Sequence, residues 1–231
     1  MSRRVGILAH ATGHLVALVI LTASVGWAQQ TGVHPLSGRR FAEVMDASGA
    51  AWLERSERET EEAPDEALNI IGVKKGSIVA DIGAGSGYMT VRLSKRVGAA
   101  GVVYANDIQP PMLAILDARL KAGRLSNVRL VLGTPDDPKL PSDAIDMALL
   151  VDVYHEFSQP QAMLEHLHGA LKPGGRLVLL EYRKEDPSIP IRPEHKMSVA
   201  EAKKEIEPEG FRLSRVDDGL PRQHVLIFTR R

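Results

Sequence analysis

The first stretch of this sequence able to do chemistry is an acid followed by alternating glycines, Val79-Ala-Asp81-Ile-Gly83-Ala-Gly85-Ser-Gly87. It closes a short apolar run, Ser77 to Ile82, and opens a helix expected from Tyr88. Glycines at such a bend let the backbone turn and approach a ligand with no Cβ in the way. Asp81 falls near the C-terminal end of the strand, the edge at which open α/β sheets bind ligands. A dinucleotide cradle of the G-x-G-x-x-G kind needs its third glycine at position 88, where this chain has Tyr88. The spacing here is G-x-G-x-G, which lacks the wide cradle used for a pyrophosphate and argues against a nucleotide-dependent oxidoreductase.

Two further sites carry acids at the ends of apolar runs. Asp107 closes Val102 to Asn106, where a carboxylate can accept two hydrogen bonds from ribose hydroxyls. Gly133-Thr-Pro-Asp136-Asp137-Pro138 follows Val128 to Leu132, and an acid in that loop can reach an adenine amino group. Asp-Pro pairs are also plain turn formers.

These groups need elements to hold them. Apolar runs at 77–82, 102–107, 128–132, 145–151 and 176–182 alternate with helices, one started by Pro111 and another running from Pro160 to Leu171 before Lys172-Pro-Gly-Gly175. Runs of this length between helices predict strands buried on both faces of a parallel sheet. Ser198 and Glu201 form a capping box for a helix reaching about Glu209. Phe211 to Val216 and Val225 to Thr229 then read as an antiparallel pair joined by a turn at 217–221. Upstream, Phe41 to Glu62 suits one or two amphipathic helices, and Pro64 starts another that Gly72 stops.

Taken in order, Asp81 to Gly87, Asp107, the Asp136-Asp137 loop and Leu171 to Gly175 resemble the successive motifs of class I S-adenosylmethionine-dependent methyltransferases, over about residues 60 to 230. The resemblance implies a Rossmann-like α/β fold, a seven-stranded mostly parallel sheet of order 3-2-1-4-5-7-6 with the last strand antiparallel and helices on both faces. It also implies S-adenosyl-L-methionine as cofactor, with Asp81 and Gly83, Gly85 and Gly87 around its methionine part, Asp107 on the ribose, and Asp136 or Asp137 on the adenine. Many relatives place an acid directly after the glycine of the third motif; this chain has Thr134 there, so either of the next two acids fills the role.

The sulfonium already makes the methyl group reactive, so such enzymes need alignment above all, and a base only where the acceptor loses a proton. The candidate acceptor side is Val151-Asp152-Val-Tyr154-His155-Glu156-Phe157. His155 is the expected base, Tyr154 orients the acceptor, and Asp152 contacts cofactor or acceptor. Their structural alternative is a strand-end network capping the next helix. The proline-rich stretch 187–196 suits a substrate lid, and Arg183, Arg192, His195 and Lys196 suit an anionic or phenolic small molecule. Trp52 and Arg55 are placed to cover the cofactor from the other side. No metal site is expected: His166 and His168 lie two apart on a helix and point different ways, and Asp152, His155 and Glu156 make a weak cation set.

Composition bounds the rest. The chain has 231 residues, 44% hydrophobic and 25% charged, with a formal net charge of +0. That suits one medium α/β domain with an N-terminal extension and disfavours nucleic-acid binding by a basic face. Absence of cysteine excludes disulfides, thiolate metal sites and a cysteine nucleophile. Ser2-Arg3-Arg4, the apolar run Leu15 to Val25 and the small residues Gly26 and Ala28 have the layout of a secretory signal over residues 1–28, and Arg3-Arg4 resembles part of a twin-arginine signal. The expected product is therefore periplasmic or secreted, or membrane-anchored if residues 1–28 stay uncleaved. Residues 29–62 form a linker and helical extension, and 63–231 the domain. Two functions follow: methyl transfer to a small-molecule acceptor, or an exported S-adenosylmethionine- or nucleoside-binding protein of the same fold that lacks catalysis.

Overall fold

Apolar runs flanked by helices can bury both faces of a strand, and in this chain they do so. The computed structural model describes residue 1 and residues 32–231. Residues 2–31, which carry the expected export signal and the start of the expected linker, lie outside the described residues. Two single-turn helices, α1 (Ala50–Leu53) and α2 (Arg58–Glu61), precede α3 (Pro64–Ile71). The alternating part follows as β1 (Ile78–Ile82), α4 (Tyr88–Val97), β2 (Val102–Asp107), α5 (Pro110–Gly123), β3 (Val128–Leu132), β4 (Ile145–Val151), α6 (Pro160–Ala170) and β5 (Leu171–Arg183). The chain closes with β6 (Lys196–Met197), α7 (Val199–Ile206), β7 (Phe211–Asp217) and β8 (Gln223–Arg230).

The sheet runs β3-β2-β1-β4-β5-β8-β7, with β6 paired to β5 off this path. β1 to β5 are parallel, and β8 is antiparallel to both β5 and β7. Apart from the extra two-residue β6, this is the sheet order that the resemblance implies. Side chains alternate between the faces of a strand, and the core divides accordingly. Val79, Leu149, Val178 and Leu180 pack toward α3 and α4. Ala80, Ile82, Leu150 and Leu179 pack toward α6 and α7. Local signals set the helix ends. Pro64 starts α3 and a left-handed Gly72 ends it. The Ser198 hydroxyl accepts the Glu201 N–H, while the Glu201 side chain accepts the Ser198 N–H, as the capping box predicts. Among the described residues no helix is long and apolar enough to cross a membrane.

Three expectations about elements change. Strand β5 begins at Leu171, not Arg176: Leu171 pairs with Ile145, and the Lys172 to Gly175 segment then bulges out of register against β4, turning at a left-handed Gly174 (φ +73°). β6 was not foreseen; it joins Lys196 and Met197 to Tyr182 and Arg183, and so pins the end of the proline-rich loop to the sheet edge. Residues 32–40 are no loose linker. The Arg39 guanidinium donates to both Glu205 oxygens, at 3.0 and 2.9 Å, and to the His155 carbonyl at 3.0 Å. The Ser37 hydroxyl donates to the same carboxylate.

The Arg39 and Glu205 side chains are 1% and 0% exposed, so removing one strands the other's charge away from water. We expect Arg39→Ala to cost about 3–5 kcal/mol in urea unfolding. The double variant Arg39→Met/Glu205→Leu should recover most of that loss. A single variant as stable as wild type would show that the N-terminal segment is not docked this way.

Candidate functional site

Strands β1, β2, β4 and β5 are parallel, so their C-terminal ends share one edge. Between β1 and α4 the backbone turns through left-handed conformations at Gly83 (φ +68°) and Gly87 (φ +87°). A Cβ on Gly83 would lie 2.4 Å from the Val153 side chain, and one on Gly87 would lie 2.1 Å from Leu116. Glycine is thus required twice, by backbone angle and by space. Asp107 fastens this turn to β2: Oδ2 accepts the Gly85 N–H at 2.8 Å and Oδ1 accepts the Gln109 N–H at 2.9 Å. Burial raises the Asp107 pKa, against the pull of these backbone donors. Asp81 lies deeper and accepts the Thr90 hydroxyl at 2.5 Å. Burial, and after it the nearby Asp107 charge, push its pKa up to about 7 against the Thr90 hydrogen bond.

Beyond β3, the Thr134 hydroxyl donates to Asp136 Oδ1 at 2.6 Å. The carboxylate of Asp137 is instead taken by Lys139, through its Nζ at 2.6 Å and its backbone N–H at 2.7 Å. Asn106 braces the loop by donating to the Pro138 carbonyl at 2.9 Å.

The N-terminal segment covers this cradle. Leu53 stands against Gly85, where a Cβ would come within 2.9 Å of its Cδ1. Glu54 accepts the Ser86 hydroxyl and pairs with Arg119, and Gln109 Nε2 donates to the Met45 carbonyl at 2.9 Å. The Tyr88 hydroxyl donates to Glu59 at 2.6 Å, and Arg58 lies 4.1 Å over the Tyr88 ring. Arg55 stacks on Trp52 at 3.7 Å, but Trp52 is 44% exposed and forms the outside of the cover, not its lining. About 40 Å³ remains beneath, lined by Leu53, Arg58, Asp81, Gly83, Tyr88 and Val151 among others. That is roughly the room of one water molecule. For S-adenosyl-L-methionine, the donor set fits: a glycine turn closed to any Cβ, with two acids beside it. To admit a nucleoside, the part of the cover that rests on the glycine turn, Leu53 and Glu54, has to lift. The sequence offers no signal for this cover beyond an amphipathic stretch.

A second cluster sits at the ends of β4 and β5. Glu181 Oε1 accepts the Tyr154 N–H at 3.0 Å, and His155 Nδ1 donates to Glu181 Oε2 at 2.6 Å. His155 Nε2 lies 3.2 Å from His195 Nδ1, and the two rings stand edge to face. Burial lowers the pKa of both imidazoles, but for His155 the charge and hydrogen bond of Glu181 outweigh it and the net shift is upward. Glu156, beside them, is pushed by burial to about 7. Asp152 has an unusual φ of +50° and accepts from Gln223 Nε2 at 2.7 Å. Burial, then Glu62 and Glu181, drive its pKa well up.

The expected acceptor side is thereby partly redrawn. His155 and His195 meet, and Glu181, at the end of β5, is the partner that no local pattern marked for His155. Tyr154 does not join them: it is 0% exposed, its ring packs on Phe157 and lies beneath Arg39, and it cannot orient an acceptor. Arg183 donates to the carbonyls of Leu220, Pro221 and Gln223, and Lys196 to that of Asp186. Both cations cap loop carbonyls and do not gather around an anion; Arg192 is exposed. His166 lies 3.7 Å from Asp137, away from the cluster.

The Asp81 environment has a measurable consequence. The folded chain keeps its proton up to about pH 7, whereas an unfolded aspartic acid releases it near pH 4. Stability contributed by this group is therefore present at low pH and falls as pH rises from about 4 to 7. Asp81→Asn should flatten that slope in urea melts across this range. Equal slopes in variant and wild type would discard the account.

Comparison with known proteins bears on this site. Residues 79–175 match the family described as methyltransferase domain. A ubiquinone/menaquinone biosynthesis C-methyltransferase of Marinomonas sp. is 32% identical over 119 residues, covering 51% of this chain and 47% of that one. The corresponding protein of Azotobacter vinelandii is 32% identical over 118 residues, with the same coverage of 51% and 47%. The chain thus spans about half the length of the curated relatives it matches. A crystal structure of a SAM dependent methyltransferase from Aquifex aeolicus superposes with a TM-score of 0.75 at 28% identity, over 80% of this chain and 98% of that one. An S-adenosylmethionine dependent methyltransferase from Mesorhizobium loti shares the fold, with a TM-score of 0.58 at 18% identity over 72% and 96%. Together with the glycine turn held by Asp107, these likenesses show a class I methyltransferase fold, with residues 79–175 similar to a methyltransferase domain, and indicate S-adenosyl-L-methionine as cofactor.

Proposed function

We propose that the chain moves a methyl group from S-adenosyl-L-methionine to a small, phenol-like acceptor. The observation that carries this reading is the pairing of His155 and His195 at the same sheet edge as the glycine turn. When bound, the cofactor supplies an electrophilic methyl group on a sulfonium. The chain's own residues then have two tasks, holding and aligning. Asp107 holds the ribose diol, Asp81 and the Gly83 to Gly87 turn the methionine part, and Asp136, whose carboxylate is the less engaged of its pair, the adenine. Alignment of a nucleophile with the methyl group is where such a site gains most of its rate. The cover of residues 45–62 excludes water once closed.

A phenolic acceptor is preferred to an anionic one because Arg183 and Lys196 are already spent on loop carbonyls. The imidazole pair is what the chain offers to the acceptor's reacting group. The curated relatives are named for C-methylation in quinone biosynthesis, which is consistent with a ring-bearing acceptor. Residues 1–28 are proposed as an export signal, so the mature N-terminus of secreted or periplasmic protein should follow Ala28.

Calorimetry with S-adenosyl-L-methionine tests the cofactor half of this reading. Asp107→Ala should weaken binding by about 1–3 kcal/mol through loss of charged hydrogen bonds. Unchanged affinity would remove Asp107 from the site. For the acceptor half, wild-type chain with methyl-labelled cofactor should label a phenolic fraction of a metabolite pool, identified by mass spectrometry. Tight binding with no label in any fraction would leave a nucleoside-binding protein instead.

A further inference from the structure

The Glu181–His155–His195 array looks at first like a proton relay, but a relay leaves Glu156 without a part. The carboxylate of Glu156 faces the two imidazoles, and the donor atoms of His155, Glu156 and His195 all lie within 4.8 Å of one another. We propose that these three side chains bind one divalent transition metal of the zinc class, through His155 Nε2, His195 Nδ1 and a Glu156 oxygen.

Four observations carry the proposal. First, the tautomer is set. His155 Nδ1 donates to Glu181 at 2.6 Å, which leaves the Nε2 lone pair for a cation. A ligand histidine whose other nitrogen donates to a carboxylate is the usual outer arrangement at metal sites. Secondly, the spacing fits. Two nitrogens about 2.0–2.1 Å from a tetrahedral ion sit roughly 3.3 Å apart, and His155 Nε2 and His195 Nδ1 are 3.2 Å apart. The Glu156 oxygen lies within 4.8 Å of both nitrogens. Thirdly, the donor set is selective. Two imidazoles and one carboxylate favour zinc and its neighbours over magnesium or calcium, which take oxygen donors. Three protein ligands leave an open position, the pattern of catalytic and not of purely structural sites. Fourthly, the fold builds the site from separate pieces and braces each. His155 and Glu156 ride on the 3-10 turn after β4, Glu181 ends β5, and β6 ties the residue after His195 to Tyr182. The His155 side chain is 2% exposed, while Glu156 and His195 are half-buried, so the cluster is shielded on the His155 side and reachable from solvent on the other.

The role of this metal rests on the acceptor-side reading above: a coordinated acceptor oxygen would be held in place and its proton made easier to lose to solvent. Metal binding itself does not depend on that reading. The test uses the full chain, stripped with a chelator and titrated with zinc against a chromophoric competitor. Wild type should take up one equivalent at the competed site. His195→Ala and Glu156→Gln should each weaken that uptake at least tenfold, and Glu181→Gln should weaken it about 10- to 100-fold. The double variant His166→Ala/His168→Ala, on α6, should bind zinc as wild type does. His195 lies in a loop, so its variant should keep the wild-type circular dichroism spectrum, and calorimetry with S-adenosyl-L-methionine on the same sample reports the nucleoside site separately. No competed zinc in wild type, or undiminished uptake in His195→Ala, would overturn the metal site. Zinc uptake as expected, in a chain that binds no S-adenosyl-L-methionine, would uphold the metal site and overturn the methyl-transfer reading alone.

Discussion

A carboxylate at the end of β2 accepts a backbone N–H from the turn that ends β1, and most of the site hangs on that bond. Asp107 Oδ2 reaches Gly85 at 2.8 Å across 22 residues of sequence. Gly83 and Gly87, where the turn bends, have no room for side chains that could hold it. Its shape therefore has to be imposed from the neighbouring strand, and a buried acid does so with a strong, charge-assisted hydrogen bond. Burial of Asp107 and Asp81 side by side beneath the cover is electrostatically unfavourable. A polar ligand that hydrogen-bonds to them offsets part of that cost.

The end of β4 repeats the device one strand further along. Glu181 ends β5 and holds both the Tyr154 backbone and the His155 ring from the turn after β4. The two carboxylates thus play matching parts, each fixing a turn that follows the adjacent parallel strand. What differs is the burden each turn carries: glycines that make space in one, an imidazole and a carboxylate that make contacts in the other.

The N-terminal segment links the two sides. Arg39 anchors it on Glu205 and on the His155 carbonyl, while Leu53 and Glu54 rest on the glycine turn. Lifting residues 45–57 breaks exposed or half-buried polar contacts around Glu54, whereas the Arg39 anchor and the Arg58–Glu62–Tyr182 contacts are buried. Segments with few buried contacts open at the lowest free energy, so residues 45–57 are the part of the cover that opens most easily, between the buried anchors at Arg39 and at Arg58 and Glu62.

The strands, the helix starts and the glycine turn were legible in the sequence because each is written in neighbouring residues. Val79 and Ala80 point to opposite core faces, Pro64 and Ser198 sit at helix starts, and Gly83 and Gly87 take the positive φ angles that their spacing suggests. The sheet order came from resemblance, not from these local rules. Only the tertiary structure decided that Tyr154 belongs to the core, that Arg183 and Lys196 cap carbonyls, that residues 32–40 dock on α7, and that Glu181 is the partner of His155. Those outcomes depend on which strand ends lie side by side. A pairing such as Glu181 with His155, separated by 26 residues, leaves no periodic trace in the chain, because its energy arises only when burial removes water from both partners at once.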